Sequence, residues 1–248
     1  MYYLSFLCYG IGVIALFQGS WEGIAVAVIF AALGTFLQIA RARLDKTSLD
    51  ILDQELKVGA TRNPAAILDI YISGKHLIIT RDQISWRGKT IRTSHISGIR
   101  ACNEEINVNL VDLSQRQITL TGSFGSMTID CGWGEGAVRA QALFERVMAA
   151  MWPAVCVPLL VQWQQRLSEG HAITVGGVTI IAGGLMLRGG FTGFKPVFTP
   201  WTDMKCSVKN GYVTLSSSTS NATGYLKIWR VDNAILVPAI VRAAQAPA

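Results

Sequence analysis

The residues best suited to ligand chemistry form one short basic segment, Arg87-Gly88-Lys89-Thr90-Ile91-Arg92. Arginine and lysine bind phosphate through charge-assisted hydrogen bonds, and each adds about 1 kcal/mol of attraction close to an anionic bilayer. Arg87, Lys89 and Arg92 therefore predict a binding site for anionic lipid headgroups. An ordinary solvated hairpin is the alternative interpretation.

The sequence spacing does not bring together groups for catalysis or metal binding. His76, His95 and His171 are far apart, and the five cysteines include no closely spaced pair. Cys131 precedes a glycine-rich segment, but this segment lacks the Gly-Lys-Ser/Thr ending of a phosphate-binding loop, and no base for the thiol is identifiable. We therefore expect no catalytic residue, metal site, cofactor or nucleic-acid-binding surface, with an enzyme as a minor alternative.

A second candidate contact segment is apolar and rich in glycine. It contains Phe191, Phe194 and Phe198. An apolar loop of this kind either folds onto its own core or inserts into a partner or a bilayer. The three phenylalanines are predicted to form a partner-contact loop, and the core alternative stays open.

The chain begins with two uncharged stretches, Tyr2–Gln18 and Ile24–Ala40. Each has about 17 residues, at the short end of the range that spans a bilayer. Charged residues make up 15% of the chain, against roughly 25% in soluble domains. Residues 1–46 are therefore predicted to be a transmembrane helical hairpin. A signal peptide followed by one helix and a buried soluble hairpin are the alternatives.

The residues that flank these stretches predict how the chain is anchored. Tyr2, Tyr3 and Trp21 suit the membrane interfaces, and Arg41 and Arg43 directly follow the second stretch. Because basic residues are retained on the cytoplasmic side, residues 45–248 are predicted to be cytoplasmic. The expected location is a bacterial inner membrane, with the lipid bilayer as one partner.

The remaining chain divides into helices and short strands. Residues 47–61 predict an amphipathic linker helix that ends at Gly59. From Leu68 onward, apolar residues alternate with polar ones, as in antiparallel strands. A helix over 135–151 should stop at Trp152-Pro153, and residues 153–171 form a second linker with its own helix.

Two parts of the chain, residues 62–152 and 172–248, have the same order of predicted elements. The best match places Thr199–Met204 on Ser94–Ile99. Each part predicts several antiparallel strands whose open end is covered by one C-terminal helix. The predicted fold class is therefore α+β, with an N-terminal transmembrane hairpin followed by two such β units.

The segment Pro200-Trp201-Thr202-Asp203-Met204 resembles a turn of bacterial pleckstrin-homology-like (PH-like) domains, although the first unit has His95-Ile96-Ser97-Gly98-Ile99 in its place. The resemblance implies a PH-like barrel or sandwich in each unit, frequent membrane anchoring and no particular reaction. The chain is accordingly predicted to be a non-enzymatic scaffold or accessory subunit that docks partner proteins of a membrane complex. The alternative is a lipid sensor that binds anionic headgroups through the basic segment.

Overall fold

A single long helix, α1 (Trp21–Arg62), opens the part of the chain that the structure describes. The structure is a computed structural model, and it describes residues 21–108, 111–132, 137–189 and 195–246. The predicted N-terminal hairpin is wrong, because these residues contain one uninterrupted helix and no helical hairpin at this end. The first uncharged stretch, Tyr2–Gln18, lies outside the described residues.

The predicted break between the second uncharged stretch and the linker helix is also wrong. Residues 41–58 contain no proline or glycine and are rich in good helix formers, so the change from apolar to charged residues leaves the backbone helical. The helix continues through Gly59 and ends at Arg62, one residue before Asn63-Pro64. The uncharged segment Ile24–Ala40 and the residues next to the first β unit therefore belong to one continuous helix.

The first β unit has four strands, then three, then a helix. The four-stranded antiparallel sheet has the order β1-β2-β3-β4, and the three-stranded sheet has the order β5-β6-β7. A 3₁₀ turn, Thr93–His95, joins the two sheets, and helix α2 (Ala137–Met151) follows them. The strands are β1 (Leu68–Ile72), β2 (Lys75–Ile79), β3 (Gln83–Trp86), β4 (Lys89–Arg92), β5 (Ile96–Val108), β6 (Val111–Gly122) and β7 (Gly125–Asp130).

The second unit repeats this order. Its strands run β12-β13-β14-β10-β9-β8 in one sheet, and β11 pairs with β10. A 3₁₀ turn, Trp201–Asp203, stands between β11 and β12, and helix α4 (Val237–Gln245) closes the unit. The strands are β8 (Ile173–Val175), β9 (Val178–Ile181), β10 (Gly184–Gly189), β11 (Lys195–Pro200), β12 (Met204–Lys209), β13 (Tyr212–Ser217) and β14 (Thr223–Lys227).

The two units are joined by a nearly continuous helical segment. Trp152-Pro153 does not stop α2 as predicted, because a π-helical turn, Trp152–Cys156, carries the chain into α3 (Val157–Ser168). The wider turn accommodates a proline that would clash with the preceding turn of an α-helix. Pro153 therefore changes the type of helix without ending it.

This segment, Ala137–Ser168, is long and apolar enough to cross a membrane by length and composition. Part of its apolar surface is covered, however, by the protein interior. Val147, Val155 and Leu159 are among its buried side chains, and they belong to one apolar core that extends through both units. The segment behaves in this structure as a core helix shared by the two units.

The outer edge of β5 is paired with the segment Ile228–Asn233 of the second unit. The backbone N–H of Asn233 donates to the carbonyl of Ile99 (2.8 Å), and its Oδ1 accepts from the N–H of Ile99 (3.0 Å). Its Nδ2 donates to the carbonyl of Ser97 (2.9 Å), and the N–H of Ala101 donates to the carbonyl of Ile228 (3.4 Å). Four backbone groups of an edge strand are thereby satisfied within the chain.

An ion pair adjoins these hydrogen bonds. Nε of Arg100 lies 2.8 Å from Oδ1 of Asp232, and Oγ1 of Thr121 donates to the other carboxylate oxygen (3.0 Å). A Cβ on Gly98 would lie 3.1 Å from two side-chain atoms of Asp232 and closer still to Oγ1 of Thr121. The absence of a side chain at residue 98 therefore lets the two units approach each other.

We expect Asn233→Ala to lower the free energy of unfolding by about 2–5 kcal/mol. It removes two side-chain hydrogen bonds of about 0.5–1.5 kcal/mol each. It also places alanine at a φ of +65°, which costs about 1–2 kcal/mol. Denaturant unfolding of the full-length protein measures the change.

Asn210→Ala is the matched control, since Asn210 also has a positive φ (+50°) but lies in the exposed β12–β13 turn. Asn210→Ala should lower the free energy of unfolding only by the cost of placing alanine at a positive φ. Equal losses for the two variants would show that the side chain of Asn233 does not hold the units together.

Candidate functional site

The β3–β4 turn carries two of the three residues predicted to bind anions. Trp86 pairs with Lys89, so Arg87 and Gly88 form a two-residue turn with φ values of +51° and +76°. The guanidinium carbon of Arg87 lies 5.3 Å from the centroid of the Trp86 ring. Arg87 and Lys89 are both exposed, and the aromatic contact orients the arginine without neutralising it.

The third predicted residue, Arg92, lies at the opposite end of β4. It pairs with Gln83, next to the point where Oγ1 of Thr93 donates to the carbonyl of Arg81 (2.7 Å). The β1–β2 turn, by contrast, lies at the same end of the sheet as the β3–β4 turn, because successive antiparallel strands reverse direction. Lys75, the first residue of β2, therefore lies at the same end of the sheet as Arg87 and Lys89.

We call Lys75, Arg87 and Lys89 the basic tip. All three are exposed, and among the described residues none of them forms an ion pair. Sequence spacing missed Lys75 because the three residues come from the ends of two different hairpins. It included Arg92 because four residues of extended chain look close in sequence although they span about 10 Å.

The predicted partner-contact loop is described only at Phe198. Phe191 and Phe194 lie outside the described residues. Phe198 is on β11, opposite Met186, and its ring lies over Gly183 and Gly184 with 48% of its surface exposed. The ring thus covers part of the outer sheet surface and leaves its other side open.

The predicted membrane anchors are mostly outside the region with described side chains. Tyr2 and Tyr3 precede the described residues, and Trp21 is the first residue of α1. Arg41 lies within α1, and Arg43 is exposed there, with its carbonyl accepting a hydrogen bond from Oγ1 of Thr47 (2.9 Å). Arg41 and Arg43 are therefore part of one continuous helix.

The C-terminal end of α1 packs directly against β1. A Cβ at Gly59 would collide with the backbone carbonyl of Asp69. At the same end of the helix, Arg139 and Arg146 of α2 form ion pairs with Glu55 (3.0 Å) and Asp53 (3.4 Å). The end of α1 is thus held between a strand and a helix of the first unit.

A polar cluster around Asp69 completes this junction. Asp69 is only 4% exposed, and its Oδ1 lies 3.0 Å from Nη1 of Arg62 and 2.7 Å from Nε2 of His76. The His76 ring stacks on Tyr71 with the centroids 4.5 Å apart, and the Arg62 guanidinium lies over Tyr71. One buried carboxylate therefore links α1, β1 and β2.

The sequence contains no local signal for this cluster. Arg62 and His76 each stand seven residues from Asp69, and Asp69 occupies a position where the strand alternation predicts a solvent-facing side chain. An Asp–His pair can orient a base for nucleophilic catalysis. In this structure the Asp69–His76 pair, together with Arg62, links α1 to β1 and β2.

A groove of about 230 Å³ runs between α1 and β1, beside this cluster. Its rim includes Ile51, Val58 and Tyr71, which are 45%, 51% and 42% exposed. Glu55 and Arg62 lie at the same groove. Apolar side chains exposed at this level along a groove are typical of protein contact surfaces.

Two buried cysteines, Cys131 and Cys156, do not provide reactive thiolates at neutral pH. Burial, with a smaller contribution from the charge of Asp130, raises the pKa of Cys131 to about 12. Burial likewise raises the pKa of Cys156 to about 12. Both thiols are therefore protonated and apolar, and no group of three or more metal-ligating side chains is found within the described ranges.

The motif that carried the PH-like resemblance forms a corner between two strands. Nε1 of Trp201 donates to the carbonyl of Ala182 (2.7 Å), and Oδ2 of Asp203 accepts from Oγ1 of Thr219 (2.9 Å). Nε2 of Gln245, at the end of α4, donates to the carbonyls of Trp201 and Met204. The motif residues thus tie the corner to a neighbouring loop and to the closing helix.

We expect Gly59→Ala to destabilise the junction of α1 and β1 by about 1–3 kcal/mol, because the methyl group forces the helix away from the Asp69 carbonyl. The effect is opposite to the intrinsic preference, since alanine favours helix over glycine by about 1 kcal/mol. Thermal unfolding of the full-length protein tests it, with Ala60→Ser as the control at an exposed neighbouring position. A Gly59→Ala protein at least as stable as the parent would contradict the close packing.

Comparison with known proteins adds no family to this description. No protein-family model, no curated protein and no solved structure matches the chain.

Proposed function

We propose that this protein is a membrane-associated, non-enzymatic docking module that holds a partner protein close to the bilayer. The observation that carries the proposal is the continuity of α1. One helix contains the uncharged segment Ile24–Ala40 and also the exposed groove residues Ile51 and Val58. Because the helix has no flexible joint between these two parts, it fixes the distance between them.

The helix sets the distance between the uncharged segment and the groove. Ile51 follows Ala40 by 11 residues, which corresponds to about 16 Å along a helix. Gly59, Arg62 and the ion pairs with α2 fix the same helix to the first β unit. A partner bound in the groove would therefore be held at a defined height above the membrane surface.

The proposed location is the cytoplasmic side of a bacterial inner membrane, with the uncharged segment in the bilayer. Arg41, Arg43 and Lys46 directly follow that segment. Basic residues at this position favour retention of the following domain on the cytoplasmic side. We further propose that the two β units are tandem PH-like domains, on the basis of the turn motif and the repeated order of four strands, three strands and a helix.

We predict that the full-length protein purified in mild detergent carries a stoichiometric partner protein, and that Val58→Asp abolishes this association. A charge at the groove rim would have to be desolvated on binding. Ala60→Asp is the control, since Ala60 is exposed on the same helix but does not line the groove.

Quantitative mass spectrometry of the purified complexes compares the two variants. Equal recovery of the partner with both would contradict docking in the groove. A protein that purifies without a partner in several detergents would contradict the proposed function itself.

A second candidate function is anionic-lipid binding by the basic tip. It is favoured by the position of Lys75, Arg87 and Lys89 at one end of the sheet. Among the described residues, none of the three has an ion-pair partner. Such sites attract phosphate headgroups and weaken as salt increases.

Arg92 provides a matched control for lipid binding by the basic tip, because it lies at the opposite end of β4 from Lys89. Full-length protein in neutral-lipid nanodiscs should co-sediment with vesicles that contain phosphatidylglycerol, and Arg87→Ala/Lys89→Ala should reduce binding about tenfold or more at low salt. Arg92→Ala should change it little. Equal effects of the double and the single variant, or no binding at low salt, would exclude the tip as a lipid site.

A further inference from the structure

The corresponding edge strands of the two β units, β5 and β12, differ in whether another segment pairs with their outer edge. In the first unit, the outer edge of β5 is occupied by Ile228–Asn233 of the second unit. In the second unit, β12 follows the corresponding 3₁₀ turn and is the first strand of the corresponding three-stranded arrangement. Beyond its first residue, its outer edge has no such strand-like partner among the described residues.

The hydrogen-bond pattern identifies which groups of β12 face outward. The N–H of Ser218 donates to the carbonyl of Asp203, and Lys209 pairs with Tyr212 across the two-residue turn Asn210-Gly211. Bonded and non-bonded pairs alternate along an antiparallel ladder. The N–H and C=O groups of Cys206 and Val208 therefore point away from β13.

The corresponding outward residues of β5 are Ile99 and Ala101. Ile99 lies opposite Leu120 in β6, as Cys206 lies opposite Leu215 in β13. Both outward residues of β5 have hydrogen bonds to the second unit. Around β12, Gln245 covers the carbonyl of Met204, and no described group bonds to the outward backbone groups of Cys206 and Val208.

The surface around this edge is basic. Alternation places Lys205, Ser207 and Lys209 on the outer face of β12, and Lys227 lies on the same face of β14. The facing positions on β13 and β14 are hydroxyl-bearing residues without a carboxylate: Tyr212, Thr214, Ser216, Thr223 and Tyr225. Val208, at the open edge, is 56% exposed.

We infer that the open edge of β12 binds an extended, acidic segment of a partner protein, which adds as a strand along Cys206–Val208. The backbone groups would supply the hydrogen bonds, and the lysines would select glutamate or aspartate at alternate positions. The first unit contains the internal counterpart, in which Arg100 next to the occupied edge pairs with Asp232 of the docked segment. The inference rests on the proposed docking function, since it describes how a protein partner is recognised.

A fluorescent eight-residue peptide in which glutamate alternates with valine tests the inference by anisotropy on the full-length protein. Val208→Pro should weaken binding about tenfold or more, because proline removes an outward N–H while leaving the ladder to β13 intact. Lys205→Glu/Lys209→Glu should weaken binding at least as much. Lys57→Glu/Arg81→Glu, which changes the net charge equally at exposed positions on other surfaces, should not.

Two further peptides separate strand addition from simple charge attraction. A version with lysine in place of glutamate should not bind, and a version N-methylated at the valines should bind at least tenfold more weakly than the parent. Equal binding of the parent peptide to the Val208→Pro variant and to the unaltered protein, or no binding to the unaltered protein, would overturn the inference. Thermal unfolding checks that each variant is folded.

Failure of this inference is distinguishable from failure of the docking function. If a partner co-purifies equally with the unaltered protein and with Val208→Pro, docking stands and the β12 edge is not the site. If no partner co-purifies with the unaltered protein, the docking function itself fails.

Discussion

The outer edge of β5 is the constraint on which the arrangement of the molecule depends. An edge strand presents unpaired N–H and C=O groups that cost free energy if they are buried and invite association if they are not. Here the chain satisfies them with its own segment Ile228–Asn233, so that the second unit docks as an additional partner of the first sheet. Two repeated units thereby become one body.

Asn233 is suited to this role for two separate reasons. Its φ of +65° turns the chain between β14 and α4, a conformation that asparagine tolerates better than most residues. Its amide side chain has both a donor and an acceptor, and it uses both on Ser97 and Ile99. A residue with the right conformation but no amide would turn the chain without bonding to β5.

A second close contact connects this body to the long helix. Gly59 lets α1 touch the backbone of β1, and the buried carboxylate of Asp69 is balanced by Arg62 from the helix and by His76 from the neighbouring strand. The helical segment Ala137–Ser168 then continues the same apolar core from the first unit into the second. Displacement of α1 would therefore disturb both the strand and the core below it.

The sequence by itself determined the local elements. Alternating apolar residues identified the strands, and the α+β class with antiparallel sheets is confirmed. Apolar stripes at helical spacing identified α2 and α3. These features depend on residues that are neighbours in the chain, so periodicity and turn chemistry are sufficient to recognise them.

Only the tertiary structure decided the continuity and the contacts of those elements. Gly59 and Pro153 are signals for helix ends in sequence, yet packing against β1 and a π turn carry both helices past them. Alignment of sequence placed Met204 on Ile99, whereas the 3₁₀ turns show that Met204 and Ile96 occupy the same position after the corner. The partners of Asp69, Lys75 and Asn233 come from other strands or another unit, and no pattern within a single segment contains that information, because long-range packing selects them.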